Sequence, residues 1–354
     1  MKVGIVGASG YAGVELMRLC GEHPDLQVAV ATAGGRAGDA VARHTPSLAA
    51  AYPHLAYAPT EPSELDGLDL VFLALPHGQS QHLVPELVSR VGAVVDLAAD
   101  FRLHDPSLYP TWYGEAHTAP EVLGQFVYGL PELHRDELRG ARLIAVPGCY
   151  PTAAILALAP LLRAGAIIGG PPGTGGPALI VDAASGVSGA GRAPKENLHF
   201  GTVDGDFTAY GLLDHRHTAE MEQSLGTTVL FTPHLAPMVR GILATCYARP
   251  TTATGGDSAL TNALTTAQAM EILHRQYDDE PFVVVTDEPP STKATSGSNC
   301  VHVTVRVDPR TGWVLSLAAL DNLVKGASGQ AVQCANLALG LPEGAGLPIA
   351  GAYP

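Results

Sequence analysis

A chain of 354 residues with 46% hydrophobic residues, 40 glycines and 6% aromatics is long enough for two domains, each with its own core, and has the composition of a compact α/β enzyme rather than a disordered or fibrous chain. Twenty basic against 34 acidic residues leave a net charge of −14, which argues against nucleic acid or an anionic membrane as partner, since both need a basic face. The five cysteines, at 20, 149, 246, 300 and 334, are odd in number and scattered without a Cys-x-x-Cys pair, so a disulfide framework and a zinc site are not expected and a reducing, cytoplasmic setting is.

The chain opens on an apolar run, residues 2–6, that ends in Gly7-Ala8-Ser9-Gly10-Tyr11-Ala12-Gly13 and continues with helical periodicity through Cys20. Strand, glycine turn and helix in that order suit a dinucleotide pyrophosphate, because the turn lets backbone approach the phosphates and the helix start faces them with unpaired N–H groups. The glycines recur every third residue, which departs from the usual G-x-G-x-x-G. A second strand, 26–31, runs into Thr32-Ala33-Gly34-Gly35-Arg36, where an NAD enzyme would carry an acidic residue. No Asp or Glu follows before Asp39, so the hydroxyl of Thr32 and the charge of Arg36 predict NADP, with a solvated loop arginine as the plain alternative. Strands at 69–75 and 93–97, a helix at 79–90 between them, and the loop Pro76-His77-Gly78 at a strand's carboxyl end predict a doubly wound parallel sheet of Rossmann type.

The strand at 142–146 is broken by Pro147-Gly148, and a helix with proline in its first turn follows over 151–164. Cys149 therefore sits at a strand-to-helix turn, where unpaired N–H groups and the positive end of the helix dipole stabilise a thiolate and can hold an oxyanion. A buried cysteine that happens to follow a turn is the alternative. Beyond a Gly- and Pro-rich stretch, 165–177, strands are expected around 178–184, 227–232, 241–248, 282–286, 300–307 and 313–320, with helices near 214–225 and 258–277. That pattern predicts an α+β domain with a mixed, largely antiparallel sheet, and a final helix, 323–339, that returns to the first domain. The expected division is residues 1–148 with 323–354 for the dinucleotide and 149–322 for catalysis, substrate and oligomerisation.

With these pieces assembled the chain resembles the N-acetyl-gamma-glutamyl-phosphate reductases of arginine biosynthesis over nearly its whole length. The resemblance is carried by Gly7–Gly13, Leu75-Pro-His-Gly78, Asp100-Phe-Arg102, Tyr128-Gly-Leu-Pro-Glu-Leu133, Pro147-Gly-Cys-Tyr-Pro-Thr-Ala153, Ser185-Gly-Val-Ser-Gly-Ala-Gly-Arg192, His215-Arg-His-Thr218, Phe231-Thr-Pro-His-Leu235 and Asp321-Asn-Leu-Val-Lys-Gly326. Val146, where asparagine is common, and Ala33-Gly34-Gly35, where serines are common, depart from the pattern. The resemblance implies a cytoplasmic homo-oligomer that uses NADP, with Gly7, Ser9, Gly10, Tyr11, Ala12, Gly13, Thr32, Arg36, Pro76, His77, Ser185, Gly186, Asn322 and Lys325 at the cofactor. Arg102, Arg192, His215 and Arg240 are the expected substrate groups. It also implies the chemistry: an acyl phosphate is reduced to an aldehyde and inorganic phosphate by way of a thioester on Cys149.

A histidine is needed to move protons, and two stand in motifs. His217 opens a predicted helix, and His234 follows a strand; alignment by motif favours His217. Competing activities are a carrier-linked aminoadipyl- or glutamyl-phosphate reductase, which the acidic net charge disfavours, and aspartate-semialdehyde dehydrogenase. A non-catalytic dinucleotide-binding regulator is the reading from a different class, and Cys149 with its candidate histidines speaks against it.

Overall fold

The computed structural model describes residues 1–170, 179–251 and 264–353, and the chain divides into two compact units. The first comprises Met1–Gly148, Ala190–Ala193 and Leu323–Pro348, the second Cys149–Gly189, Pro194–Asn322 and Ile349–Pro354. The division differs from the expected one in two places: residues 190–193 group with the first unit, and the last residues, from Ile349, group with the second.

The first unit is built on six parallel strands, β1 (Lys2–Val6), β2 (Gln27–Thr32), β3 (Leu70–Leu73), β4 (Ala93–Asp96), β5 (Val127–Tyr128) and β6 (Leu143–Ala145), in the order β2-β1-β3-β4-β6-β5. Its central strands read as continuous apolar runs because helices cover both faces of such a sheet: Leu70 to Leu73, Val94 and Val95 have no exposed surface. One residue breaks that rule. Asp96, the last of β4, is fully buried. The helix Tyr11–Glu22 follows the glycine turn and buries Leu16, Met17 and Leu19 against the sheet. The closing helix begins as a π-helical turn, Val324–Ser328, and becomes α-helical over Gly329–Ala338. The Ser328 hydroxyl donates to the Ala12 carbonyl and ties that turn to the first helix.

Among its described residues the second unit holds seven strands, β7 (Leu179–Gly186), β8 (Thr208–Ala209), β9 (Val229–Ala236), β10 (Ile242–Ala248), β11 (Val283–Val285), β12 (Val301–Val307) and β13 (Val314–Leu320), in the order β11-β12-β13-β10-β7-β9-β8. Four neighbouring pairs are antiparallel and two, β11–β12 and β7–β9, are parallel. The helix Cys149–Arg163 is apolar all round and buries an unbroken run from Tyr150 to Leu161. It is pinned by the hydroxyls of Ser316 on Ala157 O, 2.6 Å, and Tyr277 on Leu156 O, 2.7 Å. The other face of the sheet is only half buried: Ile180, Tyr247 and Leu315 lie side by side across β7, β10 and β13, and Leu230 of β9 is exposed. The helix expected over 258–277 runs from Thr266 to Tyr277, because Thr265 forms a capping box with Gln268 and starts it there; residues 258–263 lie outside the described residues, as do 171–177 of the Gly- and Pro-rich stretch. Among the described residues no helix is long and apolar enough to cross a membrane.

Candidate active site

In the first unit the loops at the carboxyl ends of β1, β2 and β3 carry the expected dinucleotide groups. Gly7 has φ +81°, and a Cβ there would lie 2.4 Å from the Ala74 carbonyl; a Cβ on Gly13 would lie 2.3 Å from the Gly7 carbonyl. Gly7 therefore makes the turn and Gly13 lets the helix pack onto it, so the irregular spacing performs the usual task. The helix Tyr11–Glu22 has no side-chain cap at Gly10, which leaves first-turn N–H groups available for phosphate beside Ser9, Tyr11 and Ala12. Gly34 and Gly35 have open space where a Cβ would stand, and Nη1 of Arg36 is buried with no hydrogen-bond partner among the described residues. An orphaned guanidinium nitrogen beside an open, side-chain-free turn fits a 2′-phosphate.

Several expected contacts are otherwise engaged. Thr32 is fully buried, with its hydroxyl accepting from Thr60 at 3.0 Å and its carbonyl from the Ala8 N–H at 2.9 Å, so it supports the glycine turn rather than reaching outward. Lys325 is not at a surface: Nζ donates to Glu132 Oε1 at 2.5 Å and Gln333 Oε1 at 2.9 Å, and both ends of the ion pair are fully buried. Arg192 is exposed, belongs to the first unit and donates to the carbonyls of Ser9, 2.8 Å, and His44, 3.4 Å. It borders the glycine turn. Arg102 is buried and donates from Nη2 to Leu97 O at 2.8 Å. His77, beside Pro76, has Nδ1 2.6 Å from Asp100 Oδ1, with its ring on Tyr113.

In the second unit Cys149 is the first residue of the helix Cys149–Arg163 and is half-buried. The other four cysteines are buried. Burial pushes the Cys20 thiol up to about 12 and raises Cys246 and Cys334 as well, so none of these is a thiolate near neutrality. Around the start of this helix the side chains are aromatic. Tyr150 packs edge-on against His215, His217 and Phe231 at 5.8, 5.9 and 5.2 Å, and the rings of His215 and His217 lie 4.8 Å apart. The Tyr150 hydroxyl donates to the His234 carbonyl and accepts from the Tyr210 hydroxyl. Burial, with added repulsion from the Cys149 charge, raises the phenols of both tyrosines, Tyr210 to about 12, so both stay protonated. His215 is held at about 4, first by burial and then by the Arg216 charge, and is neutral at pH 7.

Strand alternation turns the His234 ring away from this cluster. Phe231 of β9 points toward Tyr150 and His215, whereas the His234 ring stacks on Phe207 at 5.1 Å, so only the backbone of His234 meets the Tyr150 cluster. His217 opens the helix His217–Leu225 and is buried in the cluster. At the end of β7, which carries Ser185 and Gly186, and in the loop after it, the N–H groups of Gly186, Val187 and Ser188 donate to the carbonyls of Gly241, Met238 and Val239, and the Ser185 hydroxyl donates to the Gly186 carbonyl. The Asn322 amide is likewise engaged, accepting from Gly241 N at 2.7 Å and donating to Ser188 Oγ at 2.9 Å. Arg240 pairs with the buried Asp321 at 3.3 Å. The Tyr150–Tyr210 pair was not foreseen; its signal was the tyrosine next to the cysteine.

Comparison with known proteins adds the family. Profiles of the semialdehyde dehydrogenase NAD-binding domain and of the semialdehyde dehydrogenase dimerisation domain match residues 2–141 and 149–322. The N-acetyl-gamma-glutamyl-phosphate reductases of Symbiobacterium thermophilum and Desulforudis audaxviator are each 46% identical, over all of this chain and 99% and 100% of theirs. The chain belongs to the N-acetyl-gamma-glutamyl-phosphate reductase family. The reductase of Saccharopolyspora erythraea, 44% identical over the full chain, falls in the same group. Solved aspartate-semialdehyde dehydrogenases share this family's fold at low identity. The Vibrio cholerae enzyme II complexed with ASA superposes with a TM-score of 0.66 at 17% identity, covering 96% of this chain and 98% of its own. The Candida albicans enzyme with NADP gives 0.67 at 16%, covering 95% and 97%.

Proposed function

We propose that the protein reduces N-acetyl-γ-glutamyl phosphate with NADPH to N-acetylglutamate semialdehyde and inorganic phosphate, with Cys149 as nucleophile and His217 as acid/base. The observation that carries the reading is the position of Cys149, the one cysteine of five that is not buried, at the first residue of a fifteen-residue helix. His217 takes the thiol proton; the sulfur attacks the acyl carbon, and the carbonyl electrons move to oxygen, where first-turn N–H groups stabilise the charge. When the carbonyl re-forms, the C–O bond to phosphate breaks and a thioester remains on Cys149. The glycine turn and Arg36 would hold NADPH, which when bound would supply the hydride that takes this thioester to the thiohemiacetal level. Loss of the C–S bond releases the aldehyde, and His217 returns the proton to sulfur. Arg102 and Arg240 are the substrate's anion-binding candidates.

The half-buried face of the second sheet, with Ile180, Tyr247, Leu315 and Leu230, supports a homodimer formed through that face. For the activity, NADP+ reduction driven by N-acetylglutamate semialdehyde plus phosphate is the test. The account requires phosphate-dependent turnover with that semialdehyde and little with aspartate semialdehyde; the reverse preference overturns it.

A further inference from the structure

Two fully buried carboxylic acids, Asp96 and Asp100, face one hydroxyl in the first unit. Ser80 Oγ stands 3.0 Å from Asp96 Oδ2 and 2.8 Å from Asp100 Oδ2. A hydroxyl has one hydrogen, so it can donate to only one of them. The rest of the contacts say which. Asp100 receives the N–H groups of Gly78 at 2.8 Å and Gln81 at 3.0 Å, and lies 2.6 Å from His77 Nδ1. Asp96 receives only the Ala98 N–H, on Oδ1 at 3.0 Å. With Asp100 as the anion, the Ser80 hydrogen points to it, and a lone pair of Oγ is left facing Asp96 Oδ2. Two acceptors 3.0 Å apart in a buried site repel, unless Oδ2 carries a proton.

We propose that Asp96 is held as the neutral acid and donates to Ser80, which donates to Asp100, so that the two aspartates share one proton and the single anion locks the segment His77–Gln81 in the form that receives the dinucleotide. The proposal rests on the reading of the carboxyl edge of this sheet as a dinucleotide site. These are positioning residues. They act through the loop after β3, whose His77, Gly78, Ser80 and Gln81 all turn toward Asp100.

The surrounding groups agree with this assignment. Burial first and the Asp100 charge second push Asp96 up to about 7, against the Ala98 and Ser80 hydrogen bonds and the Arg102 charge. Burial also acts to raise Asp100, but His77, Gly78, Gln81 and Ser80 together outweigh it and hold it at about 2. Other groups facing the pair are His117, in hydrogen-bond contact with the Asp100 carbonyl at 2.7 Å, Tyr109, which donates to that carbonyl at 2.5 Å, and Glu115, 3.7 Å from His77. The strands flanking β4 and the helix Gly329–Ala338 bring no charged residue. On the helix Ser80–Leu87, His82 and Glu86 are exposed.

The test pairs two measurements on the full-length protein: the melting temperature without ligand from pH 4 to 9, and NADP+ affinity by calorimetry from pH 6 to 9. In wild type the melting temperature falls as Asp96 loses its proton. Asp96→Asn, whose amide can donate to Ser80 in place of the acid, flattens that dependence and keeps NADP+ affinity within about threefold, whereas Asp96→Leu, which offers Ser80 no donor, lowers the affinity by more than that. Asp100→Asn or, if that chain does not fold, Ser80→Ala weakens NADP+ binding about tenfold or more. An Asp96→Asn profile that parallels wild type, or unchanged affinity in both Asp100→Asn and Ser80→Ala, overturns the proposal. If wild type shows no NADP+ binding, the dinucleotide reading has failed, and the melting comparison alone still decides whether the proton is shared.

Discussion

Replacing Lys325 by methionine tests the buried ion pair of the first unit. Both partners have no exposed side-chain surface, and Nζ sits between Glu132 Oε1 at 2.5 Å and Gln333 Oε1 at 2.9 Å. Glu132 Oε2 is itself buried with no hydrogen-bond partner among the described residues, and Lys325 is the only cation paired with this carboxylate among them, so removing the ammonium strands it. Breaking one side of such a pair costs about 3 to 5 kcal/mol. For a unit of this size that lowers the melting temperature by roughly 10 °C, at about 2 to 4 °C per kcal/mol. Adding Glu132→Gln to the Lys325→Met background should recover part of the loss, since a neutral amide tolerates burial better than an uncompensated charge. Thermal unfolding followed by circular dichroism, alongside NADP+ titration of the folded variant, reads both quantities. A shift of only a degree or two with a tenfold loss of NADP+ affinity would return Lys325 to the cofactor and refute the structural role given to it here.

Three further outcomes follow from the same geometry. Arg36→Ala should narrow the preference for NADPH over NADH by about tenfold or more, the worth of a charge-assisted hydrogen bond of about 1.5 to 3 kcal/mol, in comparative kcat/KM measurements; an unchanged ratio removes Arg36 from the 2′-phosphate. His217→Asn should lower kcat at least about a hundredfold with little change in KM and lose a limb of the pH profile, while His234→Asn leaves kcat near wild type; the opposite result exchanges their roles. Asp96, raised to about 7, contributes stability that is complete below about pH 4 and is lost as pH rises through 7, by up to about 4 kcal/mol, whereas Asp100, held at about 2, contributes stability present above about pH 4 and lost as pH falls through 2. Denaturant midpoints across pH 3 to 9 in wild type and Asp96→Asn should differ increasingly from pH 4 to 7, and a constant difference contradicts that linkage.

The parallel sheet was legible because buried parallel strands are continuous apolar runs, and 70–73 and 93–95 announce themselves as such. The placement of Cys149 was legible for a local reason: Pro147-Gly148 ends one element, and an uncharged apolar run begins the next. What could not be read was where side chains at long sequence separation find their partners. The motif of Lys325 points to the cofactor, and its buried partner is 193 residues away in the chain. The motifs of Arg192 and Asn322 likewise do not announce the partners they have in the fold, the carbonyls of Ser9 and His44 for one and the Gly241 and Ser188 groups for the other. Asp96 did leave a signal. An aspartate ending the run Ala93–Val95 must either be a strand end at the surface or a buried acid, and only the fold distinguishes the two.

The central claim is that acyl transfer passes through Cys149. Mixing the protein with N-acetyl-γ-glutamyl phosphate in the absence of NADPH, quenching in acid and mapping the modified peptide by mass spectrometry tests it most directly. One N-acetylglutamyl group per chain should appear on the peptide carrying Cys149, labile to hydroxylamine, and NADPH added before the quench should discharge it. Acylation of another residue, or an unmodified Cys149 in a preparation that turns over at full rate, would contradict the account.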